Sequence, residues 1–146
     1  MSEARVWEDL AQRLCASRAY IALRERLAGG AAGHAIRLPL PAAAWIADLL
    51  RADLGRRLLV LVPRESDAAQ WAEAARLLGG DGRTLYFPAP SLTPYQEVET
   101  SLPVRAQEAV AVDRIARREA ATVVCTPRAL FRRLPLPERF AAAAAR

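Results

Sequence analysis

The chain has 146 residues, 53% of them apolar and 25% charged, enough apolar material for one compact domain and too much for intrinsic disorder. All 21 basic residues are arginine, set against 16 acidic residues for a formal charge of +5. With no lysine and a single histidine, His34, the chain cannot supply a phosphate-loop lysine, a lysine Schiff base, a Ser-Lys dyad or a histidine pair for zinc.

Alanine and arginine are both abundant, which a GC-rich genome explains as well as nucleic-acid binding does. Cys15 and Cys125 form no C-x-x-C motif and read as isolated buried thiols. The N-terminus lacks a basic-then-apolar leader, and no run of about 18 apolar residues is long enough to span a bilayer. The expectation is a soluble, cytoplasmic chain with no membrane partner.

Residues 6–28 carry helical periodicity, with Leu10, Leu14, Tyr20, Leu23 and Leu27 recurring among charges. Ser17 can cap a second helix within the stretch, and Gly29-Gly30 ends it. Residues 34–38 form a short β candidate. Pro41 suits the first turn of a helix running to about Leu54, with Ala42, Trp45, Ile46, Leu49 and Leu50 on one face and Gly55 as its stop. Residues 58–62 are an unbroken apolar run, the pattern of a central strand covered on both faces. Glu65 and Asp67 then mark a helix start, and Ala68, Trp71, Ala75 and Leu78 form its buried stripe before Gly79-Gly80.

Residues 83–87 predict another strand, followed by a proline-punctuated loop over 88–102. A helix over 103–120 is expected to turn Val104, Ala109, Val112, Ile115 and Ala116 inward and Arg114, Arg117 and Arg118 outward. Residues 122–125 predict a fourth strand, and Pro127 opens a last helix bearing Arg128, Arg132 and Arg133. This alternation predicts an α/β fold: an open parallel sheet flanked by helices and joined by right-handed crossovers. The expected organisation is a helical segment over 1–33, an α/β domain over 34–135, and in 136–146 the start of a following domain or a truncated tail. The chain thus reads as an N-terminal fragment of something larger.

Open α/β sheets bind ligands at the carboxyl ends of their strands. The turn after 34–38 is Pro39-Leu40-Pro41-Ala42-Ala43-Ala44. It lacks the glycines, cation and hydroxyl that hold a polyphosphate, and its two prolines remove two amide donors. No G-x-S-x-G elbow occurs, and Ser91 lies in the proline-rich loop. Glu97 and Glu99 read as solvent-facing, and with Asp113 and Glu119 elsewhere no metal cluster is defined. Two arginine groups remain: Arg114, Arg117 and Arg118, then Arg128, Arg132 and Arg133. A solvated helix face explains them, and so does recognition of phosphate or carboxylate. Tyr95 is the one candidate stacking residue, which is thin support for single-strand binding.

The order of Leu58-Leu59-Val60-Leu61-Val62-Pro63, Leu85-Tyr86-Phe87-Pro88-Ala89, Pro94-Tyr95, an arginine-containing helix from Arg105 to Arg117, Val123-Val124-Cys125-Thr126-Pro127-Arg128-Ala129-Leu130 and Arg133-Leu134-Pro135 resembles the N-terminal domain of bacterial transcription-repair coupling factors. The resemblance covers roughly residues 35–137. It implies a helicase-like lobe with a degenerate phosphate loop, Pro39 to Ala44 standing in that loop's place. The related first domain of the UvrB-like excision-repair proteins fits less well, because it needs an intact Gly-Lys-Thr and an aromatic-rich hairpin.

By the same resemblance the module is not an enzyme and holds no cofactor itself, ATP belonging to motor lobes elsewhere in the full-length protein. It serves interaction and autoinhibition in transcription-coupled nucleotide-excision repair. Its partners would be other domains of the same protein and, through the whole protein, the excision-repair protein UvrA, RNA polymerase and DNA. Arg105, Arg114, Arg117, Arg118, Arg128, Arg132 and Arg133 are the candidate contacts. The alternative is direct DNA binding through the same arginines.

Overall fold

The computed structural model describes residues 3–78, 83–89 and 102–131. Nine elements follow in order: α1 (Glu3–Cys15), α2 (Arg18–Ala28), α3 (Leu40–Leu54), β1 (Leu58–Leu61), α4 (Glu65–Leu77), β2 (Thr84–Phe87), α5 (Leu102–Ala116), β3 (Thr122–Cys125) and α6 (Pro127–Leu130). The fold is α/β, with an open three-stranded parallel sheet ordered β1-β3-β2. The predicted cap Gly79-Gly80, Ser91, Tyr95, Glu97, Glu99, the Val104 side chain, Arg132, Arg133 and the 136–146 segment lie outside the described residues.

Two helix ends behave as their residue types demand. The Ser17 hydroxyl accepts the Tyr20 amide at 3.3 Å and starts α2, so the 6–28 stretch is two helices. Gly55 takes a left-handed conformation (φ 60°, ψ 25°) and closes α3, a geometry that costs glycine little.

Strand parity separates the two sides of the sheet. Val60, Tyr86 and Val124 share one face and pack with Val62, Ala68 and Trp71, so α4 lies there. Leu85, Phe87, Val123 and Cys125 share the other face and pack with Ala111, Val112, Ala120 and Ala129 beneath α5. The chain crosses from β1 past β3 to β2 through α4, then returns to β3 through α5. Opposite directions on opposite faces are what one crossover handedness requires. Outside α4 lies α3, and on it the N-terminal pair. Trp7 and Trp45 meet edge to face at 5.8 Å between centroids. The Tyr20 hydroxyl donates to Asp53 at 2.8 Å, and the Arg56 guanidinium donates to the Leu27 and Ala28 carbonyls at the end of α2.

Three expectations need correction. Residues 34–38 are not a strand. Arg37 has φ 60° and Ile36 is exposed, so the backbone turns away from extension and no described strand lies alongside to pair. Second, the central strand is β3, not the run at 58–62. Val124 and Cys125 are wholly buried, whereas Leu59 and Leu61 on β1 are 54% and 52% exposed. Third, α5 turns Ala111 and Val112 inward, while Ala109, Ile115 and Ala116 are exposed and the helix stops at Ala116, short of 120. On α3 the expectation holds: Pro41 lies in the first turn, the helix ends at Leu54 before Gly55, Leu50 is buried and Trp45, Ile46 and Leu49 are half-buried, with Ala44 added where α3 is sandwiched between α4 and the N-terminal helices. On α4 the stripe holds: Ala68 and Ala75 are buried and Trp71 is half-buried, with Ala74 added and Leu78 just past the helix end.

The strand order sets a stability ranking. Val124→Ala, which empties space at the centre of β3, is expected to cost about 2 kcal/mol or more. Leu59→Thr on the edge is expected to stay within about 0.5 kcal/mol. Urea unfolding of both variants checks this, and the reverse ranking would make β1 central. The Thr122 hydroxyl is buried with no hydrogen-bond partner among the described residues, so Thr122→Val is expected to be neutral or stabilising in the same assay.

Candidate functional site

The carboxyl ends of the three strands converge on Glu65, the first residue of α4. The β1–α4 turn, Val62-Pro63-Arg64, brings it there, and the Val62 amide donates to the Cys125 carbonyl at 3.0 Å, extending the ladder to the site. The Glu65 carboxylate accepts from the Tyr86 hydroxyl at 2.5 Å and from the Ala89 amide at 3.3 Å through Oε2. Its Oε1 accepts from the Thr126 hydroxyl. Tyr86 comes from β2, Ala89 from just beyond it, and Thr126 from just beyond β3. One side chain therefore ties the start of α4 to the ends of both other strands.

The electrostatics follow from these contacts. Partial burial pushes the Glu65 carboxyl upward. The bonds from Thr126, Tyr86 and Ala89, with the Arg128 charge, outweigh it and hold the group below its ordinary value of 4.5. The Tyr86 phenol is raised by burial and by its bond to Glu65. Burial, and then the Glu65 charge, raise the Cys125 thiol, which keeps it protonated and unreactive at neutral pH. Thr126 is the N-cap residue of α6, yet its side chain does not cap that helix. Its hydroxyl proton is committed to Glu65 instead.

Chemically, the crevice is already filled by an anion. In sheets of this kind the first turn of the helix after a strand is where a phosphate would sit, drawn by free amides and the positive helix end. Here an ionised carboxylate points across that edge and would repel a polyphosphate. A carboxylate held ionised by three donors is a poor general acid, and its low proton affinity makes it a weak base.

The predicted phosphate-loop position lies elsewhere. Pro39 is the N-cap of α3 and Leu40, Pro41, Ala42, Ala43 and Ala44 are its first turns, with no strand before them among the described residues. Pro41 has no amide proton, and the Ala43 amide is spent on the Pro39 carbonyl at 2.9 Å. Leu40 and Pro41 line a groove of about 540 Å³ with Gln70, Ala74 and Leu77 of α4. A second groove of about 400 Å³ runs past Trp7, Trp45 and Leu77. His34, Ile36 and Leu38 line a third, of about 320 Å³, with Tyr20 and Ile46. None of the three reaches Glu65.

Among the described residues, the predicted arginines stand in two separate places. Arg114, Arg117 and Arg118 sit at the end of α5, four or more residues before β3 begins, and Arg128 sits three residues after β3 ends. The four residues of β3 keep these groups about 13 Å apart along the strand. Arg117 pairs with Asp113 at 2.9 Å, and Arg114 approaches Glu119 at 4.0 Å. Arg118 is exposed, with φ 60°. Arg105 lies in the first turns of α5. Sequence reasoning missed the Glu65, Tyr86 and Thr126 cluster. Its signal was present in hydroxyl-bearing residues at the ends of two otherwise apolar strands and an acid opening the helix after the third.

Comparison with known proteins adds no relative: neither the family models, nor the curated proteins, nor the solved structures contain a match.

Glu65→Ala leaves two part-buried hydroxyls and an amide without their acceptor, and is expected to cost about 1–3 kcal/mol in chemical unfolding. The pH dependence follows from the depressed carboxyl. Its contribution is complete above 4.5 and is lost as pH falls through the lower folded value, so Glu65→Gln removes part of the acid-side loss. At the other end, Tyr20 and Tyr86 titrate above their ordinary 10.0 in the folded chain. Their contribution is complete below 10.0 and is lost as pH rises beyond it, and Tyr86→Phe flattens that alkaline limb.

Proposed function

We propose that the chain is a non-catalytic module of a DNA-repair protein similar to the transcription-repair coupling factor, serving interaction and autoinhibition within it. On this reading the α/β unit is a degenerate helicase-like lobe that has kept a motor's architecture and lost its nucleotide site. The observation that carries the reading is the Glu65 carboxylate held across the strand ends, where a nucleotide-binding lobe presents free amides. The proline-bearing start of α3 supports it, since it has no cation, no hydroxyl and few spare amides.

The partners on this reading are other domains of the same protein and, through the whole protein, the excision-repair protein UvrA, RNA polymerase and DNA. The competing reading is direct DNA binding by the arginines. It has less support because Arg117 is paired on its own helix and Arg128 stands at the other end of β3. A duplex would have to engage one small group at a time, and few phosphate contacts give weak binding that salt readily abolishes.

Calorimetric titration with ATP and magnesium is expected to give no binding heat, and anisotropy of a labelled duplex is expected to show no retention at about 50 mM salt. Measurable ATP binding would contradict the proposal. DNA retention that disappears in Arg128→Ala or Arg118→Ala would favour the competing reading.

A further inference from the structure

The open edge of β1 is the side of that strand turned away from β3. Leu58 and Val62 direct their amides at β3, donating to Ala121 and Cys125. By the alternation of a strand, the backbone groups of Leu59 and Leu61 point the other way. No described strand pairs with that edge. The side chains of Leu59 and Leu61 lie on the α5 face of the sheet in register with Val123 and Cys125, but α5 covers β2 and β3 and leaves both leucines more than half exposed.

Exposed edge strands are ordinarily protected by a charge within the strand, a bulge or a covering element. Leu58–Leu61 contains no charge. The charges lie just outside it, at Arg57 on one side and Arg64 on the other. Both are exposed and neither has an ion-pair or hydrogen-bond partner for its side chain among the described residues. An apolar edge bracketed by two free guanidinium groups accepts one kind of strand and rejects others.

We propose that β1 is a docking edge for an extended segment of a protein partner. That segment has apolar side chains at alternate positions, to cover Leu59 and Leu61, and carboxylates at or just beyond both ends, to meet Arg57 and Arg64. Main-chain bonds to Leu59 and Leu61 supply the affinity and the flanking charges supply the selectivity, as in strand addition generally. About five to seven residues match the edge. A second copy of this chain fits poorly, because antiparallel pairing of two β1 edges sets Arg57 against Arg64. The chain's own residues 132–146 fit poorly too, since they carry Arg132, Arg133, Arg139 and Arg146 against a single acid, Glu138. This site goes beyond the DNA-repair proposal and does not depend on it: nucleotide titration tests that proposal and leaves the edge untouched.

The test uses the whole chain and a blocked synthetic peptide, Glu-Asp-Val-Thr-Val-Thr-Val-Asp-Glu. Its controls are a version with lysine at the four acidic positions and one with alternate amides N-methylated. Amide hydrogen exchange by NMR follows Leu59 and Leu61 directly. Both amides are expected to exchange rapidly in the free chain and to be protected by the acidic peptide. Binding is expected to be about tenfold weaker for the lysine peptide and lost for the N-methylated one. Arg57→Glu combined with Arg64→Glu, two exposed positions with no described side-chain partners, is expected to reverse the charge preference while circular dichroism is unchanged. Equal binding of the acidic and lysine peptides, or no protection by any peptide, overturns the proposal. Protection already present in the free monomer, or appearing only as the chain dimerises, overturns it in favour of the tail or a second copy.

Discussion

One ionised carboxylate, reached by donors from two other parts of the chain, fixes how the sheet and its first crossover helix meet. Glu65 opens α4, and its oxygens take up the hydroxyls of Tyr86 and Thr126 and the amide of Ala89. Without that acceptor, two part-buried hydroxyls at the ends of β2 and β3 would lose the group that orients them. Because the acceptor is negative and sits at a helix start, the helix end, Arg128 and the three donors all act in the same direction, towards keeping it charged. The apolar layers then follow. Ala68 and Trp71 press on Val60 and Val124, and Ala111 presses on Leu85, Phe87 and Cys125 from the other side.

The same geometry decides what the crevice can hold. In a motor lobe the strand ends need vacant amides and a cation; here the crevice carries its own anion, and the thiol beside it is kept protonated. An argument against polyphosphate binding therefore need not rest on Pro39 and Pro41. It can be read at the sheet itself, two elements further along the chain. Fold and function remain separate matters in such a scaffold. An α/β architecture without an open crevice has its surfaces left to work with, and on β1 an unpaired backbone edge and exposed apolar side chains coincide.

Much of this organisation was legible in the residues. Ser17, Gly55 and the acids at 65 and 67 mark helix ends through local hydrogen bonding and local charge, which depend on nothing distant in the chain. The three apolar runs around Val60, Leu85 and Val124 announce strands, and their spacing announces parallel crossovers. The order of those strands was not legible. Leu59 and Val124 stand in equally apolar runs, and only the path of the helices decides which run lies in the middle. Residues 34–38 failed for a related reason: a short segment can read as a β candidate, but a strand exists only beside another, and the turn at Arg37 leaves none of the described strands within reach. The Glu65 cluster was half legible. Its helix-start role is local, whereas its bonds to Tyr86 and Thr126 span 21 and 61 residues of chain and exist only once the sheet has formed.

The state of the Glu65 carboxyl is therefore the quantity on which the rest turns. It can be read directly by following its side-chain carboxyl carbon by ¹³C NMR in the intact chain as the pH is lowered. An inflection below 4.5 is the predicted result, with the hydroxyl proton of Tyr86 or Thr126 shifting in step. An inflection at or above that value would contradict the anionic clasp, and with it the reading of the strand ends as closed to phosphate.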